Sequence, residues 1–193
     1  DDAGGVVCGA EATAGNLRSM LARAALVPIL LLLACSTPTR PDGQKGVLTP
    51  GMKAPELEAI DHRGERVRIP SGAPLLVFFY PKDNTPGCTR EACALRDAWD
   101  AYQKKGVEVV GVSADSLASH REFAEEHGLP FGLVSDDGTW GKAFGVGRTL
   151  GMHRRTSFLI DGEGVVRKTY EDVDPGVHAE QVLADAEALG LTR

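Results

Sequence analysis

The chain has 193 residues, 42% hydrophobic and 25% charged, with a formal net charge of −6 at pH 7. That is enough for one globular domain with a sizeable core plus extra segments, and a mildly acidic chain with no basic block is not a nucleic-acid binder by electrostatics. Its four cysteines, Cys8, Cys35, Cys88 and Cys93, are too few and too unevenly placed for a disulfide framework, and the lack of a Cys-x-x-Cys pair argues against a zinc ribbon.

In chain order, residues 1–19 are rich in Gly and Ala and carry no apolar period, so Met20 reads as the initiator and Cys8 as irrelevant. Met20-Leu21-Ala22-Arg23 opens an apolar run from Ala24 to Ala34. A basic residue, a short apolar stretch and a small residue form a secretory signal. The run is about 11 residues, short of the roughly 20 that a spanning helix needs. Leu32-Leu33-Ala34-Cys35 is similar to a bacterial lipobox. That resemblance implies cleavage before Cys35, lipid on its sulfur and amino group, and a place in the cell envelope on the periplasmic side of a membrane; without a real signal the protein is cytoplasmic. Residues 35–50 read as a lipidated cysteine and a flexible tether rich in Pro, Thr and Gly, and residues 51–193 as the folded domain.

From Leu57 to Ile69 two short strands flank the turn Asp61-His62-Arg63-Gly64. Leu75–Tyr80 is a buried strand. A turn and a long helix follow, from Thr85 to Lys105, with Ala92, Leu95, Trp99 and Tyr102 at helical spacing and Gly106 as its stop. Val107–Val112 is a strand, Leu117–His127 an amphipathic helix, Phe131–Val134 a strand and Trp140–Phe144 a short helix. Ser157–Ile160 and Val165–Tyr170 form a hairpin about Asp161-Gly162-Glu163-Gly164, and Ala179–Leu189 is the last helix. This order gives an α/β fold, a mixed central sheet flanked by helices. His120 and His127 share one helix and read as surface residues rather than metal ligands.

The segment from Phe78 to Cys93 carries the chemistry. Cys88 falls in the first turn of a helix that begins where a central strand ends, the usual site position in open α/β sheets. Free N–H groups and a partial positive charge gather there, and both favour a thiolate, the nucleophilic form of the side chain. Thr85, three residues earlier, stands at the N-cap. Its hydroxyl is free to accept from a backbone N–H and donate to a bound oxygen. Pro86 suits the first turn, where a missing N–H costs nothing, and Pro81 fixes the chain as it leaves the strand.

Pro81-x-x-x-Thr85-x-x-Cys88 resembles the active-site motif of the peroxiredoxins. Gly87-Cys88-Thr89-Arg90-Glu91-Ala92-Cys93-Ala94-Leu95-Arg96-Asp97 is similar to the peroxiredoxin Q, or bacterioferritin comigratory protein, branch, and Gly51-Met52-Lys53-Ala54-Pro55 resembles the family's opening segment. The resemblance implies a thioredoxin-like fold and a thiol-dependent peroxidase that reduces hydrogen peroxide and organic hydroperoxides without metal or flavin. It further implies that Cys88 is peroxidatic, that Cys93 resolves it as an intramolecular disulfide, and that a thioredoxin-like dithiol recycles the pair. By the same match Arg155 is the site arginine, with Glu91 holding it, whereas Arg154 points the other way along an extended chain. On an intact helix positions 88 and 93 lie roughly 8–9 Å apart at Cα, beyond the ~7 Å limit of a disulfide, so the first turns must open for the bond to form. Because the resolving cysteine is in the same chain, a monomer suffices. A membrane-anchored thioredoxin-like thiol–disulfide oxidoreductase is the alternative, but it calls for Cys-x-x-Cys at the helix start and has no need of Thr85 or Arg155. An inert, lipid-anchored structural domain is a third.

Overall fold

The computed structural model describes residues 38–171 and 173–193. Cys8, the apolar run Ala24–Ala34 expected to be a signal, and Cys35 lie outside the described residues. Five strands make the central sheet in the order β5-β4-β3-β8-β9. The parallel strands are β3 (Leu75–Phe79), β4 (Glu108–Ser113) and β5 (Gly132–Ser135); β8 (Thr156–Ile160) runs antiparallel to β3, and β9 (Val166–Tyr170) antiparallel to β8. All five residues of β3 are buried, as expected for a strand with both neighbours paired and both faces covered.

The strand's two-residue period divides the core. Leu76, Phe78 and Tyr80 point to one face, where they meet α1 (Pro86–Asp97), α2 (Trp99–Lys105), α3 (Leu117–His127) and α5 (His178–Ala188) through Ala92, Leu95, Tyr102, Phe123 and Val182. Leu75, Val77 and Phe79 point to the other, against Trp140 and Phe144 of α4 (Thr139–Phe144) and Ile69 of the hairpin β1 (Leu57–Ile60) and β2 (Arg66–Ile69). The mixed sheet between helical layers is the thioredoxin-like architecture expected.

Three features depart from the sequence reading. The long helix divides at Ala98, whose φ of −87° and ψ of 1° lie between α1 and α2, in the sparsely allowed bridge region. The Tyr102 hydroxyl donates to Ala179 O at 2.9 Å and ties α2 to α5. A two-residue ribbon, β6 (Arg148–Thr149) with β7 (Met152–His153), stands where no element was expected. Finally, residues 38–50 are packed on the domain rather than forming a tether along their whole length. Leu48 is buried and pairs its N–H with Phe144 O at 3.0 Å. The buried Arg40 donates to Gly46 O at 2.8 Å and Val47 O at 3.1 Å, which closes a small loop. A Cβ on Gly145, at φ 74°, would collide with Gly46 O, so glycine there permits the close approach.

Candidate active site

Strand register assembles the site. Phe79 of β3 pairs with Thr156 of β8, so Arg155 comes level with Tyr80, where the chain turns toward α1. Pro86 is the first helical residue after the N-cap Thr85, and Thr89 N–H makes the first helical bond, 2.9 Å to Thr85 O. Cys88 therefore sits among first-turn N–H groups outside the helical ladder. Its Sγ accepts from Arg155 Nη2 at 3.2 Å, and it is 2% exposed. Gly87 leaves room for this contact, since a Cβ there would be 3.2 Å from the same Nη2.

Glu91 lies three residues after Cys88, on the same helix face. Its Oε2 accepts from Arg155 Nη1, so one guanidinium holds both the thiol and the carboxylate. The Glu91 side chain is fully buried, and burial pushes its carboxyl up to about 7 against the opposing pull of Arg155. Glu91 Oε1 has no hydrogen-bond partner among the described residues. Arg154 is exposed, as its alternation with Arg155 requires.

Thr85 departs from the expected cap. Its side chain accepts no N–H; instead Oγ1 donates to Lys82 O at 3.0 Å and fixes the loop between Pro81 and the helix. Cys93 is half-buried in α1 and, like Cys88, is a free thiol. With α1 continuous through both positions, the cysteines project about 140° apart around its axis. The unstrained helix keeps them from bonding, as the spacing predicts.

Several residues that support the site were missed in the sequence. Asp83, buried in the active-site loop, accepts from Tyr80 Oη at 2.7 Å and Ser119 Oγ at 2.7 Å, and its Oδ2 lies 2.8 Å from His120 Nδ1. Burial alone would raise its carboxyl, but these partners, His120 first, hold it below the ordinary value. His120 is thus fully buried, not the surface residue expected, and it anchors the loop to α3. A second staple joins Asp136, after β5, to the strand that leads into Arg155. His153 Nε2 lies 3.0 Å from Asp136 Oδ2, and Arg148 Nη2 donates to the same oxygen at 3.2 Å. Beneath Arg155, His178 Nε2 shares a 3.0 Å hydrogen bond with Ser157 Oγ. Burial, and then the Arg155 charge, pull His178 down to about 4. Among the described residues no three His, Cys, Asp or Glu side chains group as a metal site.

Residues 50–169 match the AhpC/TSA family. The chain belongs to that family. It is 38% identical over 156 residues to chloroplastic peroxiredoxin Q of Sedum lineare, covering 77% of this chain and 83% of that protein. Among solved structures, peroxidoxin BcpB of Mycobacterium tuberculosis superposes with a TM-score of 0.69 at 32% identity, over 74% of this chain and 98% of its own. The bacterioferritin comigratory protein of Xanthomonas campestris does so at 0.66 and 32%, over 74% and 97%. This AhpC/TSA member is a thiol-dependent peroxidase of the peroxiredoxin Q branch. The thioredoxin-like disulfide exchanger is not favoured.

Proposed function

We propose that Cys88 is the peroxidatic residue, that Cys93 resolves it, and that both hydrogen peroxide and organic hydroperoxides are substrates. The observation that carries this is the Arg155 guanidinium 3.2 Å from a sulfur in the first turn of α1. The Cys88 thiolate attacks the outer peroxide oxygen. An S–O bond forms, the O–O bond breaks, and the departing alkoxide takes a proton to leave as alcohol or water. Arg155 and the free first-turn N–H groups stabilise charge on sulfur and on the breaking bond. Pro81 and the Thr85–Lys82 bond keep the loop in place against the sulfur. Cys88 is left as a sulfenic acid, which condenses with the Cys93 thiol to give a disulfide and water. A thioredoxin-like dithiol then reduces that bond. The Xanthomonas campestris relative is described for alkyl peroxide reduction activity, which supports the organic arm. Resolution within one chain makes a monomer sufficient.

The Leu32-Leu33-Ala34-Cys35 sequence supports a second part of the reading, lipid attachment at Cys35 and residence on the periplasmic face of a membrane. Two tests separate the parts. Cys88→Ser is expected to abolish hydrogen peroxide consumption with a dithiol donor, because a hydroxyl is a far weaker nucleophile; normal turnover would end the assignment. Cys35→Ala is expected to leave the protein unacylated by mass spectrometry and free of the membrane fraction, and an unchanged mass and distribution would end the anchoring.

A further inference from the structure

The structure brings Pro38, an exposed apolar ribbon and the active-site arginine near one another. Pro38 is the first described residue, three positions after Cys35. It lies against the base of the β6–β7 ribbon, since a Cβ built on Gly147 would be 3.8 Å from Pro38 Cδ and 3.5 Å from Arg154 Cδ. Gly147 O accepts from Arg154 N–H at 2.9 Å and closes that base. At the ribbon's tip Leu150 is 87% exposed at a φ of 52°, a conformation a bulky residue rarely adopts. Met152 beside it is 37% exposed, so two of the described exposed large apolar residues share one turn. Arg154 is exposed and has no ion-pair partner among the described residues. The next residue is Arg155, on the Cys88 sulfur.

We propose that this ribbon rests on a lipid bilayer, with Leu150 and Met152 in the acyl boundary and Arg154 at the phosphates, and that the site takes hydroperoxides of membrane phospholipids. The inference rests on the proposed anchor and on the peroxidase reading. The three residues from Cys35 to Pro38 span at most about 11 Å, so lipid on Cys35 brings the bilayer to the ribbon and not to the opposite side of the domain. A guanidinium suits phosphate headgroups, and an apolar tip with a basic flank is the pattern of a shallow interfacial contact. Arg155 follows the ribbon within about 17 Å of Leu150 along the chain, so the Cys88 site is never far from that contact. A peroxidised acyl chain carries its polar hydroperoxide toward that interface. There the Cys88 sulfur takes the outer oxygen, the O–O bond breaks, and the lipid leaves as its alcohol.

The test uses the full chain purified from membranes, with vesicles of phosphatidylcholine and phosphatidylglycerol that carry oxidised phosphatidylcholine. Leu150→Glu is expected to lower the rate on the vesicle hydroperoxide about tenfold, the scale of losing one buried leucine, and to leave the rate on dissolved hydrogen peroxide unchanged. Leu150→Trp is expected to shift its emission to the blue on vesicles and to be quenched by lipids brominated on the chain. Equal vesicle rates for wild type and Leu150→Glu, or a Leu150→Trp signal unmoved by vesicles, would overturn the proposal. A Leu150→Glu protein slowed equally on hydrogen peroxide would overturn it too, and would assign the ribbon to the dithiol donor or a second copy. A wild type inert toward hydrogen peroxide would instead overturn the peroxidase reading, and an unacylated Cys35 the anchor, each with its own readout.

Discussion

At the scale of single residues, one guanidinium ties the site together, since Arg155 reaches both the Cys88 sulfur and the Glu91 carboxyl. The family resemblance implied this meeting of residues 67 and 64 positions apart. Arg155→Ala is expected to cut the rate constant for hydrogen peroxide by about 10²-fold, the usual loss for one preorganised charge donor; stopped-flow kinetics would show it, and a loss below threefold would remove Arg155 from the site. Glu91 gives this arginine a pH dependence. Burial places its carboxyl at about 7, so above that pH an ion pair holds Arg155, and below it the pair weakens. Glu91→Gln should therefore be slower than wild type at pH 8, and the two rates should converge by pH 6; a constant ratio across that range would show that Glu91 acts through shape alone. His120 was misread by residue type. It falls on the same face of α3 as Phe123 and Ala124, three and four residues on, and all three are buried. The period was present in the sequence, but a histidine was not counted as part of an apolar stripe. Asp83 gave no such signal, because a loop aspartate acquires its role only from Tyr80, Ser119 and His120.

At the scale of elements, nearly every strand and helix of the domain was legible, because buried strands and amphipathic helices announce themselves by period. The ribbon β6–β7 was not, since two residues a strand carry no period. The break at Ala98 had no glycine or proline to mark it, and beyond it Tyr102 ties α2 to Ala179 of α5. That break bears on catalysis. It makes α1 a short unit that carries both cysteines, while α2 stays pinned to α5. Resolution by Cys93 requires the first turns of α1 to open, and the cost is local rather than global. In the disulfide form, amide exchange is expected to be faster from Thr85 to about Leu95, with Trp99–Lys105 and the central strands unchanged. Hydrogen exchange on the two redox forms measures this; equal protection of residues 85–95 in a confirmed Cys88–Cys93 disulfide would contradict it. Cys93→Ser should react once with peroxide and then stall at the sulfenic acid or over-oxidise, which intact mass would report.

At the scale of the whole molecule, two buried groups beneath one arginine set opposing proton balances. Glu91 is raised from 4.5 to about 7, so between those values the native state holds a proton that the unfolded chain has released. Its contribution to stability is present below pH 4.5 and is lost as pH rises through 7. His178 is lowered from 6.5 to about 4. The unfolded chain binds that proton first, so its contribution is present above pH 6.5 and lost as pH falls through 4. Between pH 4.5 and 6.5 the two oppose each other, while His62, which burial also lowers, and the carboxylates held low in the fold, Asp61, Asp83 and Asp136, tilt wild-type stability upward. Removing either group uncovers the other. His178→Gln, which keeps a hydrogen-bonding side chain beside Ser157, should tilt stability downward with rising pH relative to wild type across this window. Glu91→Gln should tilt it upward. A full proton is worth about 1.4 kcal/mol per pH unit, so each slope amounts to at most about 3 kcal/mol over the window. Urea unfolding of the reduced protein at pH 4.5, 5.5 and 6.5 measures all three. Parallel curves for wild type and both variants would mean that neither group is perturbed by its burial, and that the Arg155 pocket is wetter than its packing implies.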